Sequence, residues 1–278
     1  MASKLILRFD IDTITCIKQG VPSLLRFAQR NHVPLSFFAN VGRAVNWPGV
    51  FKSRLSPNGQ GAQKAASLGA LEKLGWKNLL KTVFLDPEVS SIGSTELQLI
   101  EKDCHDLGLH GGRNHSAWHH CAPDWSVDRL RSEVAWGVER MSGLGLIRPT
   151  MFASPGFTHP VDLPRVLKEF GFKLIADSHG WGLKAIDPGS HNKNLLQVTT
   201  GLLGEPGGIG FLENLVAKGA GETSVRGILK PFVEADETFV MYDHPCFGGG
   251  AGLPMLQAVV NCWKSEGGQF CSMSDLIH

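Results

Sequence analysis

Five side chains in this 278-residue sequence have the types and spacing to do chemistry. Asp10 and Asp12 stand two apart in "LRFDIDT". His110 and His115 belong to "LGLHGGRNHSAWHH", which holds four histidines in fourteen residues. His244 ends the apolar run "FVMYDHP". Residues i and i+2 of a strand point to the same side, so both carboxylates can face one cavity. Asp12, His110 and His115 would present one carboxylate and two imidazoles to a divalent ion. That set leaves positions open for water and substrate, and zinc, cobalt, iron, nickel or manganese all accept it. A strand-end imidazole such as His244 suits proton donation to a leaving group. Each signal alone has a plainer reading: "DID" and "DT" are common in turns and caps, and a histidine before Pro245 is a common turn residue.

Such residues meet only if the chain brings distant strand ends together. "KLILRF" reads as a buried first strand, "VPLSFFANVG" as a second and "LGLHG" as a third. "PTMFASPG", "FKLIADS", "TFVMYDHP" and "GQFCSM" follow as further strands. Between them lie helical stretches. Residues 20–32 carry Pro22 in the first turn. "STELQLIEKDCHDLG" opens on cap candidates Ser94 and Thr95, and "SVDRLRSEVAWGVERMSG" on a Ser126 cap. "VDLPRVLKEFG", "FLENLVAKG", "ETSVRGILKPFVEA" and "PMLQAVVNCWKSEG" complete the series. Alternation of this kind argues for parallel strands with helical crossovers. About seven or eight such units over this length favour a barrel over an open sheet, with its active site at the C-terminal strand ends. Asn46 to Ile92 interrupts the rhythm after the second strand. Its apolar residues alternate with Lys64, Lys73, Lys77 and Lys81, which suits either a membrane surface or an extra helical pair capping the barrel.

Composition narrows the classes. A net charge of +1 offers no overall field for nucleic acid. The N-terminal apolar run is too short for a signal peptide, broken by Arg8 and Asp10, and no stretch is long enough to span a bilayer. A cytoplasmic protein is expected. Six cysteines without a C-x-x-C pair are expected to be free thiols, not a zinc knuckle.

The order of these motifs resembles the polysaccharide deacetylase (NodB-homology, carbohydrate esterase family 4) superfamily. Asp-x-Asp follows strand one, paired histidines follow a middle strand, and a strand-end histidine comes near the C-terminus. Within it the sequence is most similar to the subgroup of deformylases acting on 4-deoxy-4-formamido-L-arabinose phosphoundecaprenol. "LRFDIDT", "QGVPSLL", "GLHGGRNHSAW", "MYDHP", "EGGQFCSMSDLI" and the "AASL" and "GW" of the insertion carry that likeness. The resemblance implies a distorted (β/α)-barrel of residues 1–278 with a helical insertion at 46–92. It implies one divalent metal, zinc before cobalt, nickel, iron or manganese, on Asp12, His110 and His115. Asp10 would be the general base and His244 the general acid. Trp118, Phe157 and Asp177 would contact substrate. The substrate would be an N-formylated or N-acetylated amino sugar, in a lipid-linked form if the insertion meets the inner face of a membrane. A catalytically impaired sugar-binding protein and an amide hydrolase of small metabolites are the alternatives.

The sequence departs from the family at three places. The metal histidines are usually four apart, whereas His115 is five from His110 and Asn114 takes the usual position. A one-residue insertion absorbed by Gly111 and Gly112 favours His115 over Asn114, because these metals prefer imidazole. "ASPGFTHP" lacks the Arg that usually holds the base, and Thr158 or His159 stands nearby. "DSHGW" has Gly180 where an Asp normally orients the acid histidine, leaving Asp177 or Asp243 to substitute. His119, His120, His179 and His191 are read as rim or solvated residues, and "CFGGGAG" as a flexible loop beside the site.

Overall fold

The computed structural model describes residues 2–45, 87–181, 195–204 and 209–277. Most of the 46–92 insertion, together with His191, lies outside them. Seven parallel strands run in the order β6-β5-β4-β3-β2-β1-β7. They are β1 (Lys4–Ile11), β2 (Ser36–Ala39), β3 (Asp106–His110), β4 (Met151–Ala153), β5 (Leu174–His179), β6 (Leu196–Thr200) and β7 (Thr238–Asp243). Past β6, Leu202 bridges to Met241, with Leu202 N donating to Val240 O at 3.0 Å and Tyr242 N to Leu202 O at 2.9 Å. The sheet thus closes into a distorted α/β barrel.

Alternation along the strands sorts the core into two parts. Leu5, Leu7, Phe9 and Ile11 point outward against the helices. Ile6 points inward with Phe38, Met151, Ala153, Leu174, Ala176, Val198 and Val240. The same period turns Arg8 and Asp10 into the barrel interior. Burial of the outward layer needs helices on it. Among those supplying it are α1 (Val21–Asn31), α2 (Val89–Lys102), α3 (His115–Cys121), α4 (Val127–Gly143), α5 (Leu163–Glu169) and α6 (Phe211–Ala217). The chain continues through α7 (Glu222–Val233), α8 (Pro245–Gly248) and α9 (Leu253–Ser265). Ser126 caps α4 as expected, its Oγ accepting from Arg129 N at 3.2 Å.

Three expectations change. Helix α2 begins at Val89, five residues before the cap candidates, and Gly93 (φ −110°) kinks it just ahead of Ser94. β6 was not anticipated: "LQVTT" has no long apolar run of its own and is strand only because it pairs with β5. The last strand shrinks to Gln269–Phe270 (β8), paired with β1. Beyond it Cys271 and Met273 plug the barrel floor. Met273 N donates to Ser36 Oγ at 2.9 Å, and Ser36 Oγ donates to Asp106 Oδ2 at 2.7 Å.

With the floor packed by these residues, the C-terminal rim is the place among the described residues for a site. Beneath that rim the packing is tight at Gly108, where a Cβ would lie 2.6 Å from the Phe38 ring and 2.8 Å from the Met151 carbonyl oxygen. Gly108→Val should therefore destabilise the fold by about 1–3 kcal/mol through overpacking. A urea midpoint that does not move would show the interior to be looser than described.

Candidate metal centre

Asp12 follows the last residue of β1, at the rim of the barrel. Three imidazoles from three parts of the chain surround its carboxylate. His110 Nε2 lies 3.3 Å and His115 Nε2 3.2 Å from Oδ1, and His244 Nε2 lies 3.1 Å from Oδ2. Oδ1 is buried and makes no hydrogen bond of proper geometry. An orphaned, buried carboxylate oxygen facing two imidazole nitrogens is a ligand set for a cation. One donor atom each from Asp12, His110 and His115 falls within 4.8 Å of the others. The residues therefore fit a divalent ion, whose identity the donor set does not fix.

Neighbouring groups aim the donors. His110 Nδ1 is 2.8 Å from Ala153 O, so Nδ1–H donates outward and Nε2 keeps its lone pair for the centre. Register pairs His110 with Ala153 across β3 and β4, which makes this bond a consequence of the sheet. Asn114 is the N-cap of α3: its Oδ1 accepts from Ala117 N at 2.8 Å and its Nδ2 donates to Val45 O at 2.8 Å. Its polar atoms are thus spent, and the candidate ligand is His115, the first residue of the helix. Gly111, at φ +83°, makes the turn that absorbs the extra residue, and a Cβ there would press on Pro155 at 2.8 Å.

Charge compensation governs the rest of the site. Burial opposes ionisation of Asp12, yet the charges of His115 and His244 outweigh it and hold this carboxyl well below its usual range. Burial likewise disfavours the His244 imidazolium, but Asp12 overrides it and lifts the pKa to about 10. Asp10, 2% exposed, has a different partner. Arg8, fully buried two residues earlier on the same strand face, grips it with two bonds: Nε to Oδ1 at 2.9 Å and Nη2 to Oδ2 at 2.7 Å. The guanidinium is completed by Ala176 O at 2.6 Å and by the rings of Phe38, Phe157 and Tyr242 at 5.0, 4.8 and 5.2 Å. Asp10 Oδ2 stays 3.8 Å from His110 Nε2, beside the centre.

Arg8 thus supplies what "ASPGFTHP" lacks. Thr158 Oγ1 instead donates to His119 O, and His159 pairs with Asp177 at 3.3 Å. Neither expected substitute reaches the His244 ring. Asp243 accepts from the backbone of His244, Leu212 and Glu213, while Asp177 holds Ser154 through its N and Oγ. Tyr242 is the ring's neighbour, its hydroxyl 3.0 Å from His244 Nε2. Of the three residues expected to contact substrate, two are buried. Trp118 is fully buried, packed on Trp125 and Phe152, and the Asp177 side chain is 0% exposed and spent on the Ser154 loop. Phe157 alone remains at the site, between Arg8, His179 and Tyr242. "CFGGGAG" begins as helix α8, followed by a hydrogen-bonded turn in which Gly250 N and Gly252 N donate to Phe247 O.

This site sits on a fold with known counterparts. A probable polysaccharide deacetylase of Pseudomonas aeruginosa PAO1 superimposes at a TM-score of 0.63 with 12% identity, over 99% of this chain and 89% of that one. A putative polysaccharide deacetylase of Mycobacterium smegmatis superimposes at 0.61 with 15% identity, over 99% and 88%. The chain has the polysaccharide deacetylase fold. It is also distantly similar in sequence to a probable 4-deoxy-4-formamido-L-arabinose-phosphoundecaprenol deformylase of Shewanella sediminis, 28% identical over 188 residues. That match takes in 64% of this chain and 57% of the deformylase, so the two correspond over little more than half of the relative's length. No family model matches the sequence.

Two sets of variants test this centre. His115→Ala should abolish stoichiometric zinc uptake. Asn114→Ala should retain it and lose only about 1 kcal/mol of stability with the helix cap. Elemental analysis giving the opposite pattern would make Asn114 the ligand. Arg8→Met should cost about 3–5 kcal/mol, because it strands a buried carboxylate. The double variant Arg8→Met/Asp10→Asn should recover part of that loss in denaturant titration, and additive losses would mean that the pair is not coupled.

Proposed function

We propose that the protein is a divalent-metal-dependent hydrolase that removes an N-acyl group, formyl or acetyl, from an amino sugar. One observation carries this reading. A carboxylate pinned by an arginine and an imidazole, His244, flank the same Asp-His-His centre. That is the arrangement needed to split a C–N bond with a base on one side and an acid on the other. The fold and the deformylase relative support the amide class of substrate. A lipid-linked sugar, with membrane contact through residues 46–92, is the finer form of the proposal. Among the described residues no helix is long and apolar enough to cross a membrane.

A metal held by Asp12, His110 and His115 would supply Lewis acidity at the acyl carbonyl. The remaining steps belong to the chain. Asp10 Oδ2 takes the proton of the attacking water, and the Arg8 fork keeps that oxygen aimed at the centre. His244 Nε2 gives its proton to the departing nitrogen. An amine leaves poorly until it is protonated, so the donor must be loaded beforehand. The influence of Asp12 loads it, since His244 is charged at neutral pH. The Tyr242 hydroxyl lies at the same nitrogen, 3.0 Å from Nε2, and Phe157 walls the space above Arg8.

The metal-loaded protein should release formate or acetate from N-formyl or N-acetyl amino sugars. Asp10→Asn and His244→Ala should each lower kcat by about 10²–10⁴ while keeping the metal. The acid must be protonated to act, so the rate should fall with rising pH. The midpoint should lie between the usual 6.5 and about 10, since a cation on Asp12 draws off part of the charge that holds the proton. That alkaline limb should vanish in His244→Ala. Undiminished hydrolysis in His244→Ala would remove it as the acid. Loss of metal from Asp10→Asn would move Asp10 into the coordination shell.

A further inference from the structure

Two of the three candidate ligands lie outside the strands. His110 ends β3 in register with Ala153. Asp12 follows the last residue of β1, and His115 opens α3 beyond the Gly111 turn. Nor are their parent strands neighbours, since β2 stands between β1 and β3. A hydrogen-bonded path between the two main chains crosses the end of β2, at Asn40. This residue is 0% exposed. Its backbone N donates to Ile11 O at 3.0 Å, extending the β1–β2 ladder by one step. Its side chain is committed to main chain at both ends. Nδ2 donates to Asp12 O at 3.0 Å and to Arg43 O at 3.3 Å, and Oδ1 accepts from Gly42 N at 2.9 Å. The Gly42 N–H fixes which way the amide faces, because only its oxygen can accept. Arg43 O accepts in turn from His115 N at 2.9 Å. One amide thus joins the carbonyl of one ligand residue to the carbonyl that holds the other. The segment carrying this link is braced on two sides. Toward α3, Arg43 N donates to Arg113 O at 2.9 Å, and a Cβ on Gly42 would lie 2.3 Å from that oxygen. Toward α2, Val41 O accepts from Ser90 Oγ at 2.6 Å and Gly42 O from Val89 N at 2.8 Å.

We infer that Asn40 is a positioning residue of the metal centre, whose side-chain amide sets the separation of Asp12 and His115 through the carbonyls of Asp12 and Arg43. The inference rests on the ligand set Asp12, His110 and His115, and is independent of the substrate. A divalent ion holds its donors to within about 0.2 Å of fixed distances. The Asp12 carboxylate and the His115 ring each turn about side-chain torsions, so their main chains must be placed before the donors can be. His110 receives that placement from the sheet. Asp12 and His115 receive it from Asn40, which touches neither ion nor substrate and acts through both ligands. The same link accounts for the five-residue spacing: the carbonyl of Arg43 takes the backbone N–H of His115 and seats this residue opposite Asp12. Without the amide, the carbonyls of Asp12 and Arg43 lose their shared donor. The two segments can then drift apart, and the affinity for the ion falls although all three ligands remain.

The test measures zinc affinity by chelator competition, the visible spectrum of the cobalt-loaded protein, and the urea midpoint. Asn40→Ala should bind zinc about 10–100-fold more weakly than the native chain, the usual cost of removing a group that orients a ligand. Its cobalt bands should shift. Ser36→Ala is the control: it removes a buried hydroxyl at the opposite end of the same strand, where Ser36 bonds Asp106 and the Met273 N–H. It should lower the urea midpoint and leave zinc affinity and the cobalt bands as they are. Should Asn40→Ala fail to fold, Asn40→Ser, which keeps one donor in the buried site, decides the matter by the same readouts. Native affinity and native cobalt bands in the folded Asn40 variant would overturn the inference. An equal loss of affinity in Ser36→Ala would also overturn it, making Asn40 a residue of stability alone. A native chain that takes up no stoichiometric zinc, or that keeps its affinity after His115→Ala, would overturn the ligand set itself and the inference with it.

Discussion

Two carboxylates two residues apart at one strand end, Asp10 buried and Asp12 half-buried, are the constraint around which this barrel is arranged. Asp10 and Asp12 cannot both stay ionised in an apolar interior without compensating charge. The chain compensates them differently. Arg8, from the same strand, is dedicated to Asp10 by a two-point contact and walled by aromatic rings. Asp12 meets only imidazoles, which can be charged or can give their lone pairs to a cation. One carboxylate is thereby fixed in place and the other is left ready to bind. The proposed division of labour between base and ligand rests on that asymmetry.

Parallel closure makes the asymmetry usable. Every strand delivers its C-terminal residue to the same rim, so residues 10, 110 and 244 become neighbours despite their distance in sequence. The opposite rim is sealed by the C-terminal segment on Ser36 and Asp106. The outward faces of the strands are committed to the helices. Among the described residues, the polar groups inside the barrel therefore face the C-terminal rim, which the proposed metal and substrate would share.

Much of this was legible in the sequence, for identifiable reasons. Alternation in "KLILRFDID" locates β1 and the shared face of its carboxylates. Gly111 and Gly112 signal the turn that lets His115, five from His110, reach the same centre. Arg8 was legible by the same i, i+2 rule but was taken as an interruption of an apolar run instead of an inward-facing partner. Tyr242 escaped in the same way beside His244. Proximity in sequence to a motif says nothing about burial: Trp118 fills the core under α3, and Asp177 staples the Ser154 loop. β6 could not be read at all, since its strand character comes from pairing with β5 and closing on β7.

The account stands or falls on how Asp12 is neutralised. The direct measurement is a crystal structure of the zinc-loaded protein with anomalous data collected at the zinc edge. A single strong peak is expected, within about 2.0–2.2 Å of a carboxylate oxygen of Asp12 and a ring nitrogen each of His110 and His115, with Asp10 still held by Arg8 and outside the coordination shell. A peak bound to Asp10 or to His244, or no peak at the barrel rim under saturating zinc, would contradict it.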